Sequence, residues 1–111
     1  MFGFVKRKQA PATTIDDRGV RRVLGSGKTE AVEWKDLVEV QIVTTDEGPF
    51  ADDVFYLLIG ADDTGCVVPQ EDPQSGPLLE RLQALPNFDN GKVIEAMGCS
   101  ENARFVCWKK S

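Results

Sequence analysis

The chain has 111 residues and no histidine. That removes the side chain that most often works as a general base near neutral pH, the commonest zinc ligand and the middle member of a Ser-His-Asp triad. Cysteine is scarce as well. Its three cysteines, Cys66, Cys99 and Cys107, form no Cys-x-x-Cys pair and leave one thiol unmatched. A disulfide framework and a structural zinc site are both disfavoured on that count. Long apolar runs are missing: no stretch approaches the ~20 residues that cross a bilayer. In the opening Met1–Lys8 the charge follows the apolar residues, which is not the order of a signal peptide. Positive charge is the minority sign, with 13 Lys and Arg against 18 Asp and Glu and a formal net charge of −5. Phosphate backbones and anionic lipid repel such a surface. The expectation is a cytoplasmic chain with no nucleic-acid partner and no stable membrane association.

What is present suits one globular domain. Apolar residues make up 41% and charged residues 28%, too apolar for general disorder. Residues 1–12 read as an N-terminal arm and linker, and 13–110 as the domain. Short strand patterns lie at Thr13–Ile15 and Val20–Leu24, on either side of the turn signal Asp16-Asp17-Arg18-Gly19. A third strand covers Glu30–Trp34, where Val32 and Trp34 share a face. Val38–Thr44 alternates cleanly, with Val38, Val40 and Ile42 expected inward and Glu39 and Gln41 outward. Val54–Ile59 is a continuous apolar run, the pattern of a central strand covered on both faces. Asp62-Asp63-Thr64-Gly65 turns it back into Cys66–Val68.

Beyond Pro69 the period changes. Ser75 is placed to cap a helix running to Leu85, with Leu78, Leu82 and Leu85 on one stripe and Pro86 as its stop. Asp89 is placed to cap a second helix in which Val93 and Met97 align, closed by Gly98. Arg104–Trp108 reads as a last strand, with Phe105 and Cys107 on one face and Val106 and Trp108 on the other. Hairpin-length connections make the class α+β: a mainly antiparallel curved sheet or small open barrel, two helices in the C-terminal half, and a final strand.

Candidate chemistry is thin. Gly25-Ser-Gly-Lys-Thr29 lacks the first glycine of a phosphate-binding loop, because Arg22 stands there, and a strand pattern follows it. It reads as a strand connection. Carboxylates come in doublets, and Asp46, Glu47, Asp52 and Asp53 crowd the loop 45–53. Their spacing does not fit a calcium loop, and nothing in the pattern buries one of them as general acid–base work requires. They read as solvated charge that complements a basic partner. Phe50, beside Pro49 in that loop, is the apolar residue placed for exposure and thus for anchoring a partner. Arg21 and Arg22 are adjacent on a strand, so they point to opposite faces and do not form one anion clamp. Trp34 and Trp108 read as core or rim packing, and Cys66 and Cys107 as small buried hydrophobes.

Three stretches carry a resemblance: Trp34-Lys-Asp-Leu-Val-Glu-Val-Gln-Ile-Val-Thr-Thr-Asp-Glu-Gly-Pro-Phe50, Leu85-Pro-Asn-Phe-Asp-Asn-Gly-Lys-Val-Ile-Glu-Ala-Met97 and Phe105-Val-Cys-Trp108. Together they resemble a family of small uncharacterised bacterial proteins, which implies a fold related to bacterial pleckstrin-homology-like domains over most of 13–110. The family brings no established catalytic residues. Comparable small acidic domains serve as immunity proteins against secreted bacterial toxins, which makes that role an analogy. The expected function is a non-enzymatic protein-binding module without cofactor, with Phe50, Asp46, Glu47, Asp52 and Asp53 at the contact. The alternative is a divalent-metal-dependent enzyme using the carboxylates of the 45–53 loop.

Overall fold

A computed structural model of the chain describes residues 12–46 and 53–110. Seven strands form one antiparallel, curved, open sheet: β1 (Ala12–Ile15), β2 (Gly19–Val23), β3 (Thr29–Glu33), β4 (Leu37–Thr44), β5 (Val54–Gly60), β6 (Gly65–Pro69) and β7 (Ala103–Lys109). Helices α1 (Ser75–Gln83) and α2 (Asn90–Met97) lie between β6 and β7 in the chain. The spatial order is β1-β2-β3-β6-β5-β4-β7. The class expected from the sequence is thus the observed one, α+β with a mainly antiparallel sheet.

Each hairpin has a local cause. The carboxyl of Asp16 accepts the N–H groups of Arg18 and Gly19, closing the turn from β1 to β2. Gly25–Lys28 lies in the tight link from β2 to β3 and Thr29 opens β3, with Gly27 at φ 93°. Between β5 and β6 both Asp62 and Asp63 take positive φ, 58° and 63°. That pair suits the right-handed twist of the strands it joins, and aspartate is among the few side chains that tolerate it.

Strand alternation sorts the residues into two faces. Val20, Val32, Val40, Ile42, Leu58 and Val68 point to the inner face, where Leu78 and Leu82 of α1 and Val93 and Ala96 of α2 close the core. The α1 stripe is the one expected. On α2 the inward pair is Val93 and Ala96, whereas Met97 is 38% exposed. Three and four residues along a helix differ by about a hundred degrees, and the sheet sits on the three-residue side. Asp89 caps α2 as expected, accepting the Lys92 N–H at 3.1 Å. Ser75 does not cap α1. It starts the helix itself, and its hydroxyl donates to the Gln70 carbonyl.

Two bulges correct the simple alternation. In β4 Leu37 pairs with Gly60 but Glu39 with Ile59, so Val38 is the extra residue. Val38, expected inward, is half-buried, and Leu37 is the inward side chain at 1% exposure. In β7 Gln41 pairs with Val106 but Val40 with Trp108, which makes Cys107 the extra residue. Trp108 therefore joins Phe105 and Cys107 on the core side, leaving Val106 outward. One inserted residue flips every side chain beyond it.

The sheet is weakest at its middle. β3 and β6 share a single paired position, Ala31 with Gly65. Beyond it, side chains replace the missing ladder: the Val67 N–H donates to a Glu30 carboxylate oxygen at 3.0 Å, and Arg22 Nη1 donates to the Val67 carbonyl at 3.2 Å. Arg22 and Glu30 are themselves cross-strand partners. Asp72, in the link from β6 to α1, pairs with Arg22 at 3.7 Å and accepts the Thr13 hydroxyl and the Gln74 N–H. Both charged side chains are nearly enclosed, at 13% and 8% exposure. Removing one partner of such a pair strands the other in a poorly solvated place, at a cost of roughly 3–5 kcal/mol. Asp72→Ala is expected to lower unfolding free energy in urea by about 3 kcal/mol. Arg22→Met, which strands the Asp72 carboxylate and also removes the donor to the Val67 carbonyl, should cost at least as much, and a loss below about 1 kcal/mol in either variant would overturn this account of the seam.

Candidate interaction face

Both helices cover the inner face, so the opposite face of the sheet has no layer over it among the described residues. Here the structure corrects the expectation for β5. Val54, Tyr56 and Leu58 are buried, while Phe55, Leu57 and Ile59 are only half-buried and point outward. A continuous apolar run signals two apolar faces, and it does not require both to be covered.

Register assembles these outward residues into one surface. Phe55 stands opposite Val43 and Pro69, and Leu57 opposite Gln41 and Val67. Val106, 38% exposed, extends the apolar surface onto β7 beside Gln41. A polar row borders it: Gln41 donates to Glu39 at 2.6 Å and accepts from Arg104 at 3.2 Å. The amide is oriented by both neighbours at once, which fixes a charge order along β4 with the carboxylate at one end and the guanidinium at the other.

The Val43–Phe55 end of this face adjoins the 45–53 connection. The Thr45 N–H donates to the Asp53 carbonyl, so the two limbs of the connection leave the sheet side by side. Asp46 and Asp53 are both exposed, and the Asp46 N–H is held by the Asn102 side chain. The other residues proposed for partner contact, Glu47, Phe50 and Asp52, lie outside the described residues. Among the described residues no three His, Cys, Asp or Glu side chains are grouped to hold a metal ion.

The remaining candidates from the sequence are structural. The Trp34 indole donates to the Asp16 carbonyl at 2.8 Å and the Trp108 indole to the Pro86 carbonyl at 2.9 Å. Each ring packs against the margin of the core. Arg81 of α1 stacks over Trp34, 5.2 Å from the ring centre, and pairs with Asp17 at 3.2 Å. That contact ties α1 to the β1–β2 turn. Arg21 and Arg22 do take opposite faces, Arg22 inward to Asp72 and Arg21 outward.

Cys66 and Cys107 are enclosed and Cys99 is half-buried. Burial, reinforced by the Glu30 carboxylate, pushes the Cys66 thiol up to about 12 from its ordinary 9.0. Burial and then Asp89 push Cys107 up to about 11. A neutral buried thiol is a poor nucleophile, so neither offers covalent chemistry. No protein-family model, curated protein or solved structure matches this chain. No helix among the described residues is long and apolar enough to cross a membrane.

The thiols supply a test of this packing. At pH 8, native protein should react promptly with a thiol reagent at Cys99 alone, and at Cys66 and Cys107 only on unfolding. Their raised values also add stability that is complete below the ordinary 9.0 and is lost as pH rises through 9 toward 12. Cys66→Val should therefore flatten the alkaline limb of the stability curve. An unchanged limb, or prompt labelling of Cys66, contradicts its burial.

Proposed function

We propose that this protein is a non-enzymatic binding module whose ligand is another protein. The observation that carries this reading is the uncovered outer face, where Val43, Phe55, Leu57 and Val67 are brought side by side by strand register. A partner that fits has an apolar patch to lie on Leu57 and basic groups at one edge. Those groups would meet the carboxylates of the 45–53 connection, Asp46, Glu47, Asp52 and Asp53, with Phe50 as a further apolar contact. Apolar centre with charged rim is the usual anatomy of a protein interface. The acidic rim would act chiefly on encounter rate and partner choice. An immunity-type role, with a basic toxin domain as partner, is the specific biological form of this reading. That form rests on analogy with small acidic domains that serve as immunity proteins.

The test places a photo-crosslinking residue at Val106, on this face, and a control at Glu80, an exposed residue of α1. Irradiation in extract of the cells that make the protein should give a discrete protein adduct from position 106 alone. Its yield should fall as salt is raised, because a Debye length shrinks from about 10 Å at 0.1 M to about 3 Å at 1 M. Leu57→Asp should reduce it by roughly tenfold or more, the loss expected for a central contact. Equal labelling from both positions would sink the reading. A melting temperature that rises with calcium, magnesium or manganese would move the assignment toward a metal-dependent enzyme, since a ligand of the folded state stabilises it by mass action.

A further inference from the structure

The outer face of β1, β2 and β3 holds a cavity separate from the apolar surface described above. Register places Thr14 opposite Arg21, Arg21 opposite Ala31, and Gly19 opposite Glu33. Gly19 has no side chain and Ala31 only a methyl group, so the longer side chains around them stand as walls over a low floor. The resulting cavity measures about 330 Å³, within the range of roughly 300–1,000 Å³ typical of small-ligand sites. The floor is fixed by backbone: a Cβ at Gly19 would come within 2.2 Å of the Val32 carbonyl oxygen.

The charges at its mouth do not follow the acidic balance of the chain. Arg18 and Arg21 both line the cavity. Among the described residues the ion pairs engage Arg22, Lys35, Arg81 and Lys92, and neither of these two. The two carboxylates at the same mouth have partners of their own. Glu33 pairs with Lys35 at 3.7 Å. Asp16 accepts the Arg18 N–H at 2.9 Å and the Gly19 N–H at 3.1 Å. Those two bonds, Gly19 foremost, hold its carboxyl below the usual carboxylate range, with Arg18 and Arg21 adding to the effect. Arg18, from the turn, and Arg21, from a strand, thus line the cavity without an ion pair among the described residues, beside the carboxylates of Asp16 and Glu33.

We infer that this cavity binds a small ligand through an oxyanion group, a carboxylate or a phosphate, with Arg18 and Arg21 as its cationic contacts and the Thr14 hydroxyl as a neutral donor. Planar guanidinium groups match both oxyanions by paired N–H donors. Arg22, adjacent in sequence, contributes nothing here because its side chain is on the inner face with Asp72. This site is independent of the protein-binding face, and either can stand without the other.

The test is a titration of the full chain, followed by amide nuclear magnetic resonance, with sodium phosphate and separately with sodium acetate. Ionic strength is held constant with sodium chloride. Saturable shifts confined to Thr14, Gly19, Arg21, Ala31 and Glu33 are expected with at least one anion, and which anion acts distinguishes phosphate from carboxylate recognition. Replacing Arg18→Met and Arg21→Met together should weaken binding by about tenfold or more, as expected for loss of charge-assisted bonds. Ala31→Leu keeps both cations but fills the floor, and should abolish saturation while leaving the fold intact. Shifts that match those from sodium chloride alone, or saturation that persists in Ala31→Leu, would overturn the inference.

Discussion

One buried ionic cluster holds the two parts of this sheet together. Backbone pairing between β3 and β6 amounts to Ala31 with Gly65, and the strands part beyond that point. Arg22, Glu30 and Asp72 then do what a ladder would have done. They give the Val67 N–H an acceptor and its carbonyl a donor, and they fix the link to α1 at the same place. An unpaired backbone group in that position would cost about as much as a lost hydrogen bond. A purely apolar filling could supply packing but no partner for either group. The charge at the seam follows from the backbone it must satisfy.

That seam also sets which face of the sheet stays open. With α1 anchored over the inner face through Asp72, Leu78 and Leu82, and α2 packed beside β7, both helices end on one side. The other side divides into two territories. Over β4, β5 and β6 it is apolar, bordered by the Glu39–Gln41–Arg104 row. Over β1, β2 and β3 it is concave, with Arg18 and Arg21 beside Asp16 and Glu33 at the mouth. The first suits a protein surface and the second a small anion, because an apolar patch gains from area while a guanidinium pair gains from a matched oxyanion.

Much of this was readable in the order of residues, and the misreadings share one cause. The strand count, the hairpin turns, the Asp89 cap and the α1 stripe all rest on interactions within a few residues, so local pattern sufficed. Val38 and Trp108 depart from the simple alternation because a bulge is invisible to a period-two count: the extra residue is revealed only by the partner strand. Val54–Ile59 was assigned two covered faces because its composition reports apolarity and not what lies above it. At the candidate face, composition singles out Asp46 and Asp53, which are exposed, while Leu57 and its neighbours carry no local signal because only register places them together.

The sequence by itself determined the class of fold, the hairpin turns and the absence of imidazole chemistry, since these follow from residue type and from contacts near in the chain. Only the tertiary structure decided which strands would be neighbours, that Arg22 would meet Asp72, and which half of the apolar residues would stay uncovered. Each of these depends on segments tens of residues apart meeting in space. Their pairing is settled by the global balance of packing and backbone hydrogen bonding, which no local window contains.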